Sequence, residues 1–221
     1  MTNSGAVYLV GAGPGDAGLL TLRGAKLLAS ADVVVCDALV NSELLNIAPE
    51  SAEIIFAGKR ANLHAIPQDE LNELLVDHAK SGKIVIRLKG GDPFLFGRGG
   101  EEAERLAASG IPFEVVPGVT SISAVPAYAG IPVTHREHCS SITIFTGHEN
   151  PDKPDSTIDW ENVARESGTK IILMGIERLR AITERLIENG LTDKTPAALI
   201  RCGTTSQQET LTGTLADIAD K

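Results

Sequence analysis

The chain is poor in three things that would each narrow its function quickly: cysteine, excess positive charge and long apolar runs. Its three cysteines, Cys36, Cys139 and Cys202, are odd in number, far apart and without a CxxC pair. Neither a disulfide framework nor a zinc knuckle is expected, and they read as small buried hydrophobes. The formal net charge of −9 excludes broad binding to nucleic acid or anionic membrane, since either needs a basic face. No stretch approaches the roughly 20 apolar residues that span a bilayer. The start, MTNSGA, lacks the basic-then-apolar order of a secretory signal, so a cytoplasmic location is expected. A G-x-S-x-G elbow is also missing, and His135-x-x-His138-Cys139 has no supporting Cys/His cluster. A serine hydrolase and a metal site are therefore both unexpected.

What is present is an ordinary globular composition: 221 residues, 43% hydrophobic and 22% charged, enough for one large domain or two small ones. Short Val/Ile-rich runs alternate with stretches of helical period, the pattern of an α/β fold with a mainly parallel sheet. Strands are predicted at 7–11, 32–36, 53–56, 83–89 and 113–116. A helix is predicted from Pro67, with Asp69 and Glu70 in its first turn, apolar positions at Leu71, Leu74, Leu75 and Ala79, and Gly82 at its end. After PVTHREH the pattern restarts, with strands at 141–147, 170–175 and 196–202 and a helix near 178–189 closed by Gly190. Two α/β domains are expected, 1–134 and 135–221, separated by no internal repeat and joined without low-complexity sequence beyond the loop HENPDKPDST.

Three stretches carry chemistry. GAGPGD, residues 11–16, follows a strand and precedes a helix, as a dinucleotide loop would. The fingerprint G-x-G-x-x-G needs glycine where Asp16 stands, and Pro14 removes an N–H that would face a pyrophosphate. A close-approaching ligand with little phosphate character fits better, and a tight strand-to-helix turn without a ligand stays open. LKGGDPFLFGRGGEE, residues 88–102, holds five glycines in eleven residues, which is costly in chain entropy unless the backbone needs unusual angles or close contact. Both loops follow strands, so they converge on one crevice at the carboxyl edge of the sheet. Arg98 and Glu101 lie three apart and can pair, either at a site or as a plain surface salt bridge. In VVPGVTSISAVPAYAGIPVTHR, residues 115–136, the hydroxyls of Thr120 and Ser121 either cap a small-residue helix or meet a polar ligand edge.

If the ligand is an anion, a local basic cluster must overcome the global charge. Lys59-Arg60, Arg87 with Lys89, Arg98 and Arg136 are the candidates. Scattered solvated charges are the alternative for each.

Taken in order and spacing, VGAGPGDAGLLTLRGAKLL, VVVCDALV, GKR, PQDELN, RLKGGDPFLFGRGGEE, VVPGVTS and GIPVTHR resemble the uroporphyrinogen-III C-methyltransferases of the tetrapyrrole methylase family. The resemblance runs from about residue 5 to about residue 215 and is most specific in the first 136 residues. It implies two α/β domains with mainly parallel or mixed sheets and a cofactor crevice between them. The implied methyl donor is S-adenosylmethionine, with S-adenosylhomocysteine as product and no metal. The implied reaction methylates uroporphyrinogen III at C2 and C7, giving precorrin-2 by way of precorrin-1, the entry to sirohaem- and cobalamin-type tetrapyrroles. A homodimer is implied as well.

Position by position, the resemblance assigns the cofactor to Pro14, Gly90, Gly91, Asp92, Leu95, Thr120 and Ser121, and in the second domain to Met174, Ala198 and Gly203. Asp37 corresponds to the family's proton acceptor and Lys59 to its proton donor, while Arg98, Glu101 and Arg136 correspond to residues at the tetrapyrrole. Arg98 remains a second candidate for the base. An arginine suits the substrate's carboxylates because its planar fork pairs with them. Two departures stand out: Ala38 where many relatives carry arginine, and an end at ADIADK where relatives continue into a further strand, so that either the sequence is cut short or the second sheet lacks a strand. A methylase of a later corrin precursor is the nearest competitor, and a non-catalytic tetrapyrrole carrier the competitor from another class.

Overall fold

The apolar run AVYLVG forms the first strand, β1 (Ala6–Gly11), whose inward positions are fully buried. The computed structural model describes residues 5–58, 66–149 and 157–221. The chain divides into two compact units, Met1–Ser121 and Ile122–Lys221. This division falls ahead of the 134/135 boundary expected from the sequence.

In the first unit, β1 is followed by α1 (Leu22–Leu28), whose Thr21 hydroxyl caps the Gly24 N–H at 3.0 Å. β2 (Val33–Cys36) and β3 (Glu53–Phe56) come next, then α2 (Gln68–Lys80), β4 (Ile84–Lys89), α3 (Gly99–Ala108) and β5 (Phe113–Val116). Pro67 stands one position before the first helical residue of α2. Asp69 and Glu70 at the start and Lys80 at the end complement the helix dipole, and Gly82, at φ 85°, turns the chain out.

All five strands are parallel, in the order β3-β2-β4-β1-β5. A parallel sheet needs cover on both faces. Val7, Leu9, Val33, Val35 and Val85 pack against Leu71, Leu75 and Val76 of α2 and Leu106 of α3. On the other face Val10, Val34, Ile86 and Leu88 pack against Leu27 and Leu28 of α1 and Leu44 of the following 3-10 turn. The chain therefore leaves β1 over one face and β4 over the other, although the two strands are neighbours. That is a topological switch point, and ligands of open α/β sheets bind outside the carboxyl ends of such strands.

α4 (Ser121–Tyr128) starts on the last residue of the first unit and runs into the second, followed there by β6 (Ile142–Thr146), α5 (Trp160–Arg165), β7 (Thr169–Leu173), α6 (Leu179–Glu188), β8 (Pro196–Arg201) and β9 (Glu209–Thr214). β6 and β7 pair in parallel, β8 and β9 antiparallel. Phe145, Trp160, Val163, Ile182, Leu186 and Leu215 form its core, with Phe145 and Trp160 edge to face at 5.5 Å. β9 is not anticipated by the sequence, because ETLTGT is largely exposed and carries no apolar alternation. One further correction concerns the cysteines: Cys36 is buried in β2, but Cys139 is only partly covered and Cys202 is exposed.

Candidate functional site

The loops after β1, β4 and β5 meet at the carboxyl edge of the first unit's sheet, and they meet through glycine. Gly13 and Gly91 form an isolated bridge, the Gly91 N–H donating to Gly13 O at 2.8 Å and the Gly13 N–H to Gly91 O at 3.3 Å. A Cβ on Gly118 would lie 2.2 Å from Gly91 O and 2.7 Å from the Gly11 Cα. A Cβ on Gly11 would lie 2.5 Å from the Gly118 Cα. No other residue type allows three backbones this close. Asp92 ties the junction, its Oδ2 accepting the Gly118 N–H at 3.0 Å and its Oδ1 the Phe94 N–H at 2.9 Å.

Gly91 has φ 66°, and the space into which its missing Cβ would point is open for 4 Å. The junction's own N–H groups, those of Gly13, Gly91 and Gly118, are already spent on protein oxygens. The turn Ala17–Leu19 carries its own anion, since the Asp16 carboxylate accepts the Gly18 N–H at 2.7 Å. A pyrophosphate would find a carboxylate where it needs donors. The cradle suits a ligand that approaches backbone closely and brings little negative charge, as a sulfonium nucleoside does. Such residues as Gly91, Asp92 and the Pro14 loop fit S-adenosylmethionine on that ground.

The sequence-assigned residues fall as follows. Pro14, Gly90, Gly91, Asp92, Thr120 and Ser121 lie in the three converging loops of the first unit, partly covered. Leu95 is exposed in the same loop as Asp92. Met174, Ala198 and Gly203 lie in the second unit, directly after β7, within β8 and in the turn after β8. Lys59 lies outside the described residues. Arg136 is exposed on the turn that His135 and Cys139 close.

Backbone strain marks several of the same places. Among the described residues the non-glycines at positive φ are Phe96, Arg98, Met174, Cys202 and Thr204. Each is an assigned residue or the immediate neighbour of one. Left-handed backbone costs a non-glycine residue roughly 1–2 kcal/mol and persists where the surroundings impose it, often at functional sites.

Arg98 and Glu101 form a bidentate exposed pair, Nε to Oε1 at 2.9 Å and Nη2 to Oε2 at 2.7 Å. The hydrogen bond from Arg98 holds the Glu101 carboxyl below its ordinary pKa. His135, Glu137 and His138 place possible ligand atoms within 4.8 Å of one another on the surface, with the two imidazoles stacked at 4.6 Å.

The basic pair Arg87 and Lys89 is a correction. The sequence offers it as a candidate anion site or as surface charge, and it is neither. Both side chains are buried on the inner face of β4, 3% and 1% exposed, together with Glu102 of α3 at 0%. Lys89 Nζ donates to Glu102 Oε1 at 2.8 Å and Arg87 Nε to the same oxygen at 3.0 Å. Burial, then the neighbouring Arg87, push the Lys89 ammonium below its ordinary pKa, against the pull of Glu102. Asp37, 32% exposed just beyond β2, receives Arg87 Nη2. A charged Arg-x-Lys inside the otherwise apolar strand IVIRLK is the sequence signal that could have revealed this cluster. Gly11 and Gly118 were likewise missed as contact points; each stands at or just past a strand end.

Residues 6–219 match the model of the Tetrapyrrole (Corrin/Porphyrin) Methylases. The chain belongs to the tetrapyrrole methylase family. It is 55% identical, over 98% of its length and 85% of the relative's, to the S-adenosyl-L-methionine-dependent uroporphyrinogen III methyltransferase of Methanosarcina barkeri. It is 49% identical to siroheme synthase 2 of Yersinia enterocolitica, of which it spans 46%. A crystal structure of the uroporphyrin-III C-methyltransferase of Thermus thermophilus complexed with S-adenosylhomocysteine matches with TM-score 0.82 at 37% identity, covering 97% of this chain and 86% of that one. The mixed α/β architecture with a mainly parallel sheet is thus that of the tetrapyrrole methylases.

Proposed function

We infer that this tetrapyrrole methylase transfers methyl groups from S-adenosylmethionine to carbons C2 and C7 of uroporphyrinogen III, giving precorrin-2 through precorrin-1. The observation that carries the reading is the glycine junction at the switch point, open above Gly91 and with its N–H groups already spent, in a chain so similar to a named uroporphyrinogen III methyltransferase. When bound, S-adenosylmethionine supplies a methyl activated by a sulfonium. A pyrrole carbon attacks that methyl, the S–C electron pair returns to sulfur, and a proton must leave the methylated ring.

The protein's work is positioning and proton removal. Pro14, Gly90, Gly91, Asp92, Leu95, Thr120 and Ser121, with Met174, Ala198 and Gly203, are proposed to hold the cofactor. Asp37 is the proposed proton acceptor, with Lys59 the proposed donor and Arg98 the second candidate base. The partly exposed carboxylate of Asp37 at a strand end supports its assignment as acceptor. Arg98, Glu101 and Arg136 are proposed to meet the tetrapyrrole, the two arginines at its carboxylates. Arg98 already forms a planar fork with one carboxylate, Glu101, which supports its use on another. A homodimer is proposed too, supported by the exposed Ile142, Ile144 and Leu211 on the strands of the second unit; sedimentation would show a single species of twice the chain mass. A cytoplasmic site of action is proposed, and among the described residues no helix is long and apolar enough to cross a membrane.

The test is anaerobic incubation with methyl-labelled S-adenosylmethionine and uroporphyrinogen III, counting methyls per macrocycle. Two methyls are expected. Transfer only to a later corrin precursor, or tight tetrapyrrole binding without transfer, would overturn the reading.

A further inference from the structure

Apolar packing alone does not call for the buried charges under α3. Clusters of this kind are desolvated at a cost that their mutual attraction barely repays, and apolar replacements are often as stable. Here four groups balance, Arg87 and Lys89 against Asp37 and Glu102, in a strand whose other inward residues are apolar.

The Arg87 guanidinium is fixed on three sides. Nε donates to Glu102 Oε1 at 3.0 Å, Nη1 reaches Val35 O at 3.3 Å and Leu88 O at 3.4 Å, and Nη2 holds Asp37 Oδ1. The Asp37 backbone is anchored as well, its N–H donating to Leu88 O at 3.1 Å. Glu102 in turn gathers Lys89 Nζ at 2.8 Å and Gln68 Nε2 at 3.4 Å on the same oxygen. Its Oε2 is buried and without a partner among the described residues, so all of these bonds fall on one oxygen. Of the four charged groups only Asp37 reaches solvent to a useful degree, at 32% exposure. The cluster thus runs from a sealed carboxylate to an open one.

Resting on the reading of Asp37 as proton acceptor, we propose that Arg87 is a positioning residue that aims the Asp37 carboxylate at the substrate, and that Glu102 holds Arg87 in register. Glu102 follows Glu101 on the first turn of α3. One turn of helix therefore carries a proposed substrate contact outward and the brace of the base inward. Lysine at position 87 would keep the charge and lose the fork, since one ammonium cannot span Glu102, Val35 O and Asp37.

The experiment is a cycle of Asp37→Asn, Arg87→Lys and the double variant, with kcat and KM for uroporphyrinogen III and calorimetric affinity for S-adenosylhomocysteine. Arg87→Lys is expected to lower kcat about 10- to 100-fold, the scale of a misplaced reacting group. KM and S-adenosylhomocysteine affinity should stay within about threefold. In the Asp37→Asn background Arg87→Lys should add nothing, because groups acting as one unit are non-additive. Wild-type kcat in Arg87→Lys beside an inactive Asp37→Asn, or losses that multiply in the double variant, would overturn the positioning role alone. Wild-type turnover in Asp37→Asn would overturn the reading of the base itself. Should Arg87→Lys fail to fold, Glu102→Gln read in the same cycle decides: a drop in kcat that vanishes in the Asp37→Asn background supports the brace, and an additive drop refutes it.

Discussion

The two units of this chain solve the problem of presenting loops in opposite ways. The first closes a five-stranded parallel sheet between helices on both faces, with strand residues such as Val7, Leu9, Val33, Val34 and Ile86 wholly buried. The second rests on two separate pairs of strands whose faces stay half open, with Ile142, Ile144 and Leu211 exposed. In the first, site loops are locked by backbone contact through Gly11, Gly91 and Gly118. In the second, Met174, Cys202 and Thr204 sit at φ 58°, 49° and 66°, so its turns carry local strain instead. Closeness shapes the loops of the first unit and strain the turns of the second.

That contrast breaks most readily at the junction. Gly118→Ala would drive a Cβ to 2.2 Å from Gly91 O, and backbone rather than a flexible tip must yield. A loss of about 4 kcal/mol or more is expected in chemical denaturation, beyond ordinary overpacking. Gly100→Ala, with nothing within 4 Å of the new Cβ, should be neutral or gain up to about 1 kcal/mol. Core truncations sharpen the comparison next. Leu75→Ala, in the fully buried core under α2, should cost about 3 kcal/mol, and Leu186→Ala, in the smaller core of the second unit, about 2 kcal/mol, because a thinner core collapses more easily around the gap.

Strain predicts a change of the opposite sign. Met174→Gly removes a half-exposed side chain from a left-handed position and should raise stability by up to about 1 kcal/mol while weakening S-adenosylhomocysteine binding in calorimetry. The smallest effect concerns acid. Backbone and side-chain hydrogen bonds, the Thr214 N–H first and then Lys221, pull the Asp217 carboxyl down to about 2. Because its folded value is depressed, its contribution is present above the ordinary carboxylate range near 3.8 and is lost as pH falls through about 2. Asp217→Asn should flatten stability between those values and leave it unchanged in slope near neutrality, measured by denaturant midpoints across pH.

Much of the first unit was legible because its elements announce themselves. β1 to β5 are apolar runs bounded by turns, and α2 carries its period and its terminal charges in plain order. The carboxyl-edge position of the GAGPGD and GGDPF loops followed from those strands alone. What could not be read was contact at long range. Nothing local to PGVT says that Gly118 touches Gly11, and nothing in RLK says that Glu102 will cover it, since both depend on the β4-β1-β5 order. β9 was hidden for a different reason: an exposed strand of threonines has no buried face to pattern. The assignment of Met174, Ala198 and Gly203 rests on resemblance, and the positive φ at Met174, Cys202 and Thr204 is a backbone feature that sequence alone did not carry.

The central claim is that the methyl donor lies against the glycine junction of the first unit. Ultraviolet cross-linking of radiolabelled S-adenosylmethionine, followed by peptide mapping, addresses it directly. Label is predicted in the peptides carrying Gly90–Leu95 and Gly118–Ser121, and competed away by S-adenosylhomocysteine. Competable label confined to other peptides would contradict the account.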